Sequence, residues 1–319
     1  MIINDHYLDV AKEAVREAFD IAVRIHASQN WDQIIKPDNS PVTLADFCCQ
    51  FVILRKLKSV FPKVPFVAEE EASMITEKMC TDICKLLNTK ITFQDIREAF
   101  QSENVKDPEC FWTLDPIDGT RGFILPKSES AQYCICLALM GKVDDGFYEP
   151  IIGILGCPNL KTHFYIAVKN RGVFNLQGDR LCVNVLPALS IKDLRITVPR
   201  VASRKTKEFF SEVGFKNEII SMDSQTKYSL VADGAADVYI RALWDFPTGY
   251  GEKIWDHAAG TLIVREAGGN VLDFDREPIK FTYGKYVSQI RGGIVALRGG
   301  VSQRVQNELF KLLKDFKTA

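Results

Sequence analysis

Apolar residues at Leu8, Ala11, Val15, Ala18, Phe19, Ala22 and Val23 recur at helical spacing and predict a helix from Tyr7 to His26. A second helix is expected over Leu44 to Val60, with Phe47, Phe51, Leu54 and Leu57 inward. Between them Lys36-Pro37-Asp38-Asn39-Ser40-Pro41 is turn-rich and expected to be mobile, as loops that close over a site are. Residues 72 to 110 read as a polar, helical insertion, with Ile83, Leu86, Leu87, Ile96 and Phe100 as its apolar positions. After residue 118 the period shortens to that of strands: Gln132 to Met140, Ile151 to Leu155, His163 to Val168 and Gly172 to Leu176. Such strands on short turns predict a largely antiparallel sheet.

Beyond about Leu186 the pattern alternates. It predicts strand Arg195 to Val198, helix Arg204 to Val213, strand Glu218 to Met222, helix Ser224 to Ala232, strand Asp237 to Ala242, and helices Lys253 to Ala267 and Ser302 to Phe316. The reading is therefore an α/β chain whose first half, 1–186, is α+β and whose second, 187–319, is an α/β domain. No internal repeat or low-complexity segment interrupts it.

Composition narrows the function classes. A chain of 319 residues with 46% hydrophobic and 25% charged residues can bury a sizeable core in each of about two domains. Forty Lys and Arg against 41 Asp and Glu leave no polybasic groove, which excludes a nucleic-acid polymer as partner. The start Met1-Ile2-Ile3-Asn4-Asp5-His6 has no basic and apolar leader pattern, and no run of about 18 apolar residues occurs, so a soluble cytoplasmic protein without a membrane partner is expected. Of the nine cysteines, Cys48 and Cys49 are adjacent, Cys134 and Cys136 alternate along a strand, and no C-x-x-C occurs; buried reduced thiols are expected.

The chemistry concentrates in Phe111-Trp112-Thr113-Leu114-Asp115-Pro116-Ile117-Asp118-Gly119-Thr120, where two carboxylates end an apolar strand. Pro116 bars a regular helix, and Gly119-Thr120 supplies a tight turn, a backbone N–H and a hydroxyl. That is how a chain builds a magnesium and phosphate site, although D-P-x-D-G alone is also an ordinary turn. Three further acids weigh against the turn alone: Glu69 after the apolar run Val64 to Ala68, Asp256 in Trp255-Asp256-His257-Ala258-Ala259-Gly260, and Asp46 in Ser40-Pro41-Val42-Thr43-Leu44-Ala45-Asp46. Thr43-x-x-Asp46 also reads as a capping box, His257 as a structural histidine or a partner of ligands, and Ala258-Ala259-Gly260 as a close helix-packing surface.

Taken in this order, the four segments resemble the lithium-sensitive, magnesium-dependent phosphatases of the inositol monophosphatase superfamily. The D-P-I-D-G-T and W-D-H-A-A-G elements most resemble those of 3'(2'),5'-bisphosphate nucleotidases, with the similarity running from the first helix to about Gly269. The resemblance implies a layered αβαβα sandwich of the inositol monophosphatase/fructose-1,6-bisphosphatase type with metals between its halves. By the same resemblance Glu69, Asp115 and the Ile117 carbonyl would hold one magnesium ion, and Asp115, Asp118 and Asp256 a second. Glu69 could hold a third ion through water. Thr120 and Asp46 would orient the attacking water, Gly119 and Thr120 would contact the scissile phosphate, and Ser224, Lys227 and Arg241, with Asp256, would reach the rest of the substrate. The insertion 72–110 would lie beside the site.

The implied substrates are small phosphate esters, namely adenosine 3',5'-bisphosphate and 3'-phosphoadenosine 5'-phosphosulfate, handled by a monomer. Relatives usually carry a His where this chain reads Val198-Pro199-Arg200-Val201-Ala202-Ser203-Arg204; Arg200 or Ser203 would substitute, and Arg121 keeps a charge that is often Lys. That departure keeps inositol 1,4-bisphosphate open as an alternative substrate. A silent ligand-binding protein on this fold is the rival of another class.

Overall fold

The first helix, Asp5–Ser28, buries Ala11, Val15, Ala18 and Ala22, and small side chains at this spacing let the second helix, Leu44–Val60, lie close against it. This computed structural model describes residues 5–28, 33–36, 41–126, 131–144, 146–181, 190–247 and 249–318. The Leu44–Val60 helix has the bounds its pattern predicts, and Asp46 fixes its start by accepting from the Thr43 N–H and hydroxyl at 2.8 and 2.7 Å.

This helix pair covers one face of a sheet that has eight strands among the described residues. Its order is Val287–Ser288, Lys280–Phe281, Phe147–Gly156, Cys134–Asp144, Cys110–Asp118 and Phe66–Ala68, with Phe164–Val168 and Gly172–Phe174 continuing from the Phe147–Gly156 strand. Phe66–Ala68 runs parallel to Cys110–Asp118, and the other pairs are antiparallel. Strand alternation sorts the cores. Trp112, Leu114, Ile135, Leu137 and Leu139 meet the helix pair, while Cys134, Cys136, Ala138 and Met140 face the other way.

On that second face lie helices Thr226–Ala232 and Ala258–Glu266. They approach closely because two glycines allow it: a Cβ at Gly153 would sit 2.9 Å from the Ala259 carbonyl, and one at Gly260 only 2.3 Å from the Tyr228 ring. Close packing at Ala258-Ala259-Gly260 is thus what the structure shows. Beyond these helices is a second sheet in the order Ile220–Met222, Ile196–Pro199, Val238–Ala242, Gly293–Leu297, Asn270–Asp273, parallel through its first three strands and antiparallel after them. Helices Arg204–Val213 and Gln303–Thr318 close its outer face through Phe209, Phe210, Leu309 and Leu313. The layers run helix, sheet, helix, sheet, helix, as the αβαβα expectation has it.

Three local expectations need correction. The helix expected over Lys253 to Ala267 is a 3₁₀ turn, Ile254–Asp256, broken at His257 (φ −136°) before the helix Ala258–Glu266. The helix expected from Ser224 starts at Thr226, because Ser224 adopts φ +64°. The segment 72–110 forms helices Glu77–Leu86 and Phe93–Ala99, which pack through Met79, Ile83 and Ile96 into the core of the Leu44–Val60 helix. Residues 182–189, which contain the boundary expected near Leu186, and the loop residues 37–40 lie outside the described residues. No described helix is long and apolar enough to cross a membrane.

Candidate active site

The strand Cys110–Asp118 carries its chemistry at its end, where pairing with Cys134–Asp144 shifts register between Asp115 and Asp118. Pro116 has no N–H to give the ladder, so the chain bulges and the two carboxylates converge. Asp115 is buried and accepts the Ile117 N–H at 3.1 Å. Gly119 then turns the chain at φ +87°, with a neighbouring carbonyl, Gln132 O, 2.7 Å from where a Cβ would stand; only glycine fits here.

Glu69 follows Phe66–Ala68, the parallel neighbour of the Asp115 strand, and its N–H donates to Leu114 O at 3.1 Å. Its carboxyl lies within hydrogen-bond reach of Asp115. Asp256 enters from the far side on the 3₁₀ turn, and carboxylate oxygens of Asp115, Asp118 and Asp256 all lie within 4.8 Å of one another. Burial, reinforced by the neighbouring acids, pushes Asp115 and Asp118 well above the ordinary carboxylate range and Asp256 up to about 6. Acids so gathered in a poorly solvated place repel one another. A hard divalent cation with oxygen ligands relieves that repulsion, so the donor set fits magnesium.

Thr120 opens the short helix Thr120–Ile124, and its hydroxyl lies 3.2 Å from Asp46 Oδ1 and 3.1 Å from the Ile117 carbonyl. Asp46 thus serves both readings of Thr43-x-x-Asp46: one oxygen caps the helix and the other holds Thr120. Burial and then the Glu69 charge push Asp46 up to about 7.

Of these groups Glu69, Asp118, Gly119, Thr120 and Asp256 line a cleft of about 320 Å³, together with Arg200, Ser224, Lys227 and Arg241. None of the described residues of 72–110 lines it, so the insertion packs on the outer helix and does not border the cleft. Lys227 is buried, donates to Met222 O at 3.2 Å and to Ser224 O, and burial lowers it to about 8 while Asp118 opposes the shift. Arg241 Nε donates to Glu252 Oε1 at 2.7 Å. Glu252 Oε2 accepts from His257 Nε2 at 3.0 Å, and His257 Nδ1 pairs with the Tyr228 hydroxyl at 2.8 Å. Both ring nitrogens are thus engaged, and His257 ties Glu252 to Tyr228. Burial would raise Glu252, but His257 and Arg241 outweigh it and hold the carboxyl at about 2.

The structure also brings in residues that the sequence did not single out. The Gln225 N–H donates to Asp118 Oδ2 at 2.5 Å, its side-chain NH₂ to Trp255 O at 2.7 Å, and its Oε1 accepts Gly260 N–H at 2.9 Å. Lys36 bridges Glu69 and Glu70 at 2.8 and 2.6 Å, and Asp223 Oδ2 accepts at 2.6 Å from Nε of Arg200, which the sequence had named. Glu252 had no signal beyond its place four residues before Asp256, whereas Gln225 and Asp223 sit inside the Asp223-Ser224-Gln225-Thr226-Lys227-Tyr228 run.

Comparison with known proteins shows what the chain is similar to. The 3'(2'),5'-bisphosphate nucleotidase of Schizosaccharomyces pombe is 33% identical, covering 83% of each chain, and that of Dictyostelium discoideum is 32% identical over 79% of this chain and 81% of its own. Among solved structures, the extragenic suppressor protein suhB of Bartonella henselae superposes with a TM-score of 0.68 at 20% identity, covering 97% and 98% of the two chains. A Thermotoga maritima IMPase gives 0.66 at 20% over 98% of each, which establishes the fold alone. Since residues 4–314 match the inositol monophosphatase family as a unit, with the acids, the Gly119 turn and the braced Asp256 turn assembled in one cleft, the chain belongs to the inositol monophosphatase family.

Proposed function

We propose that this chain is a magnesium-dependent phosphatase that removes the 3'-phosphate of adenosine 3',5'-bisphosphate, giving AMP and phosphate. It acts in the same way on 3'-phosphoadenosine 5'-phosphosulfate, giving adenosine 5'-phosphosulfate. The observation that carries this reading is the acid cluster Asp115, Asp118 and Asp256 at a cleft that Asp118 and Asp256 line together with the cations Lys227, Arg241 and Arg200. Acids hold metal, and cations select a substrate with a second anionic group. The relatives named 3'(2'),5'-bisphosphate nucleotidase support the nucleotide as that substrate.

Glu69, Asp115 and the Ile117 carbonyl would hold one ion and Asp115, Asp118 and Asp256 a second, with Glu69 available to a third. When bound, magnesium supplies positive charge to the phosphate oxygens and activates water toward phosphorus. Thr120 and Asp46 orient that water, and Asp46 takes its proton through the Thr120 hydroxyl. Gly119 offers its N–H to the phosphate at the open end of the turn. Lys227 and Arg241, the latter aimed by Glu252, receive the second anionic group. Arg200, held by Asp223, lies in the segment 198–204 where relatives usually carry a His. The free cysteines among the described residues favour a reducing compartment, and we place the protein in the cytoplasm.

Phosphate release from adenosine 3',5'-bisphosphate, inositol 1,4-bisphosphate and inositol 1-phosphate, measured side by side with magnesium and with or without lithium, tests this. The nucleotide is expected to be preferred, with lithium inhibiting. Preference for an inositol phosphate would overturn the substrate and leave the metal chemistry. Full activity in Asp118→Ala at saturating magnesium would overturn the metal assignment.

A further inference from the structure

We propose that Asp118, Cys134 and Cys136 form a second metal site, for a soft thiophilic cation such as Cd²⁺ or Zn²⁺, and that its filling shuts the magnesium site beside it. Cys134 and Cys136 lie on the same face of one strand, with their sulfurs 3.3 Å apart. Both sulfurs lie near the same carboxylate oxygen, Asp118 Oδ2, at 3.9 and 3.8 Å. Tetrahedral zinc with Zn–S of about 2.3 Å and Zn–O of about 2.0 Å sets its ligands roughly 3.5 to 3.8 Å apart. The S–S separation here is shorter than that range and the two S–O separations lie at or just above its upper end, so a bound cation would spread the sulfurs and draw the carboxylate in by a few tenths of an ångström. A point equidistant from the three atoms lies about 2.1 Å from each, within reach of a zinc-type bond length. Cys157, just past the end of the Phe147–Gly156 strand, lies within hydrogen-bond reach of Cys134 and adds a third sulfur to the neighbourhood.

The ligand chemistry separates this site from the catalytic one. Thiolate sulfur selects soft ions, whereas the oxygen-only set of Asp115, Asp118 and Asp256 selects magnesium. Asp118 belongs to both sets. It also lines the cleft, and so offers an entering cation its first contact before the buried sulfurs behind it. Binding forms two metal–thiolate bonds, and each sulfur that carries a proton releases it to solvent. The Asp118 carboxylate, already committed at Oδ2 to the Gln225 N–H, is then drawn toward the sulfurs, and a second dication stands beside the magnesium. Magnesium-dependent turnover stops.

Cd²⁺ is the probe, because its thiolate complexes absorb in the ultraviolet. Titration of the magnesium-loaded protein is expected to give a thiolate-to-cadmium band that saturates at one ion per chain, with phosphate release lost in parallel. Cys134→Ser/Cys136→Ser is expected to lose the band and to need roughly 100-fold more Cd²⁺ for half inhibition, each protein being scaled to its own magnesium-only rate. If circular dichroism shows the double variant unfolded, Cys136→Ala alone carries the comparison. Equal Cd²⁺ sensitivity in wild type and variant, or a band that survives loss of both thiols, overturns the site. The absorption titration uses no substrate, so it tests the site even where the proposed activity is wrong.

Discussion

Replacing Glu252 by Gln tests whether the brace behind the cleft works through charge. The carboxyl is almost fully buried between Arg241 and His257. Burial opposes its ionisation, yet its two partners hold it at about 2 against an ordinary 4.5. A gap of about 2.5 pH units is worth about 3 kcal/mol of folding free energy at neutral pH. The sign follows from the direction of the shift. A depressed carboxyl contributes fully above its unfolded value near 4.5, and the contribution is lost as pH falls through its folded value near 2. Glu252→Gln keeps the shape but leaves the Arg241 guanidinium without its counter-charge.

Urea unfolding of the two proteins is therefore expected to differ by about 3 kcal/mol at pH 7, with the difference roughly halved at pH 3. Carboxylates common to both proteins largely cancel in that difference. Because Arg241 also lines the cleft, KM for the bisphosphate should rise more than kcat falls. A difference that stays constant from pH 7 to pH 3 would show that Gln loses packing and not charge, and would refute the account.

Other expectations are simpler to read. Thr120→Val removes the hydroxyl between water and Asp46, so kcat should fall about 10² to 10³-fold with magnesium affinity, measured by titration, little changed. Arg200→Ala removes a charged contact worth about 1–2 kcal/mol, so KM for adenosine 3',5'-bisphosphate should rise about tenfold in steady-state assays while a monophosphate is hardly affected. Gly260→Ala drives a methyl into the Tyr228 ring, which is fully buried and packed against Tyr239 at 5.0 Å, so denaturation should show a loss of about 1–3 kcal/mol or more.

The fold was legible wherever one period ran uninterrupted. Leu44–Val60 and Arg204–Val213 have the bounds their patterns predict: the first is buried on all sides from Ala45 to Leu54 and starts at the Thr43–Asp46 cap, and the second has one buried stripe, a Ser203 cap and Gly214 at its end. Errors fell where backbone geometry serves the site. Propensity alone carries a helix through Lys253 to Ala267, and nothing local announces that the chain must break at His257 so that its ring can reach Tyr228 and Glu252. Ser224 is likewise held at positive φ by its surroundings, against its own preference. The insertion was legible as helical, but which neighbour it covers depends on Met79, Ile83 and Ile96 finding the Leu44–Val60 helix, a choice made in three dimensions.

The acids were candidates because their four segments, taken in order, resemble the inositol monophosphatase superfamily, each alone also reading as a turn, a cap or a surface acid; what joins them was not legible. Asp118 and Asp256 are far apart in the chain, and what sets their distance is Gln225, on neither segment, whose backbone holds one and whose side chain holds the turn that carries the other. A glutamine in a polar run has no distinguishing pattern, since its value lies in having one donor and one acceptor free to span two elements. The same holds for Glu252, which fixes Arg241 and His257 at once, and for the cysteines, whose alternation along a strand predicts burial but not that both sulfurs face Asp118. Metal ligands can thus be proposed from the order of four segments, whereas the groups that hold them in register are side chains with two partners each. Such groups become visible only when both partners are in place.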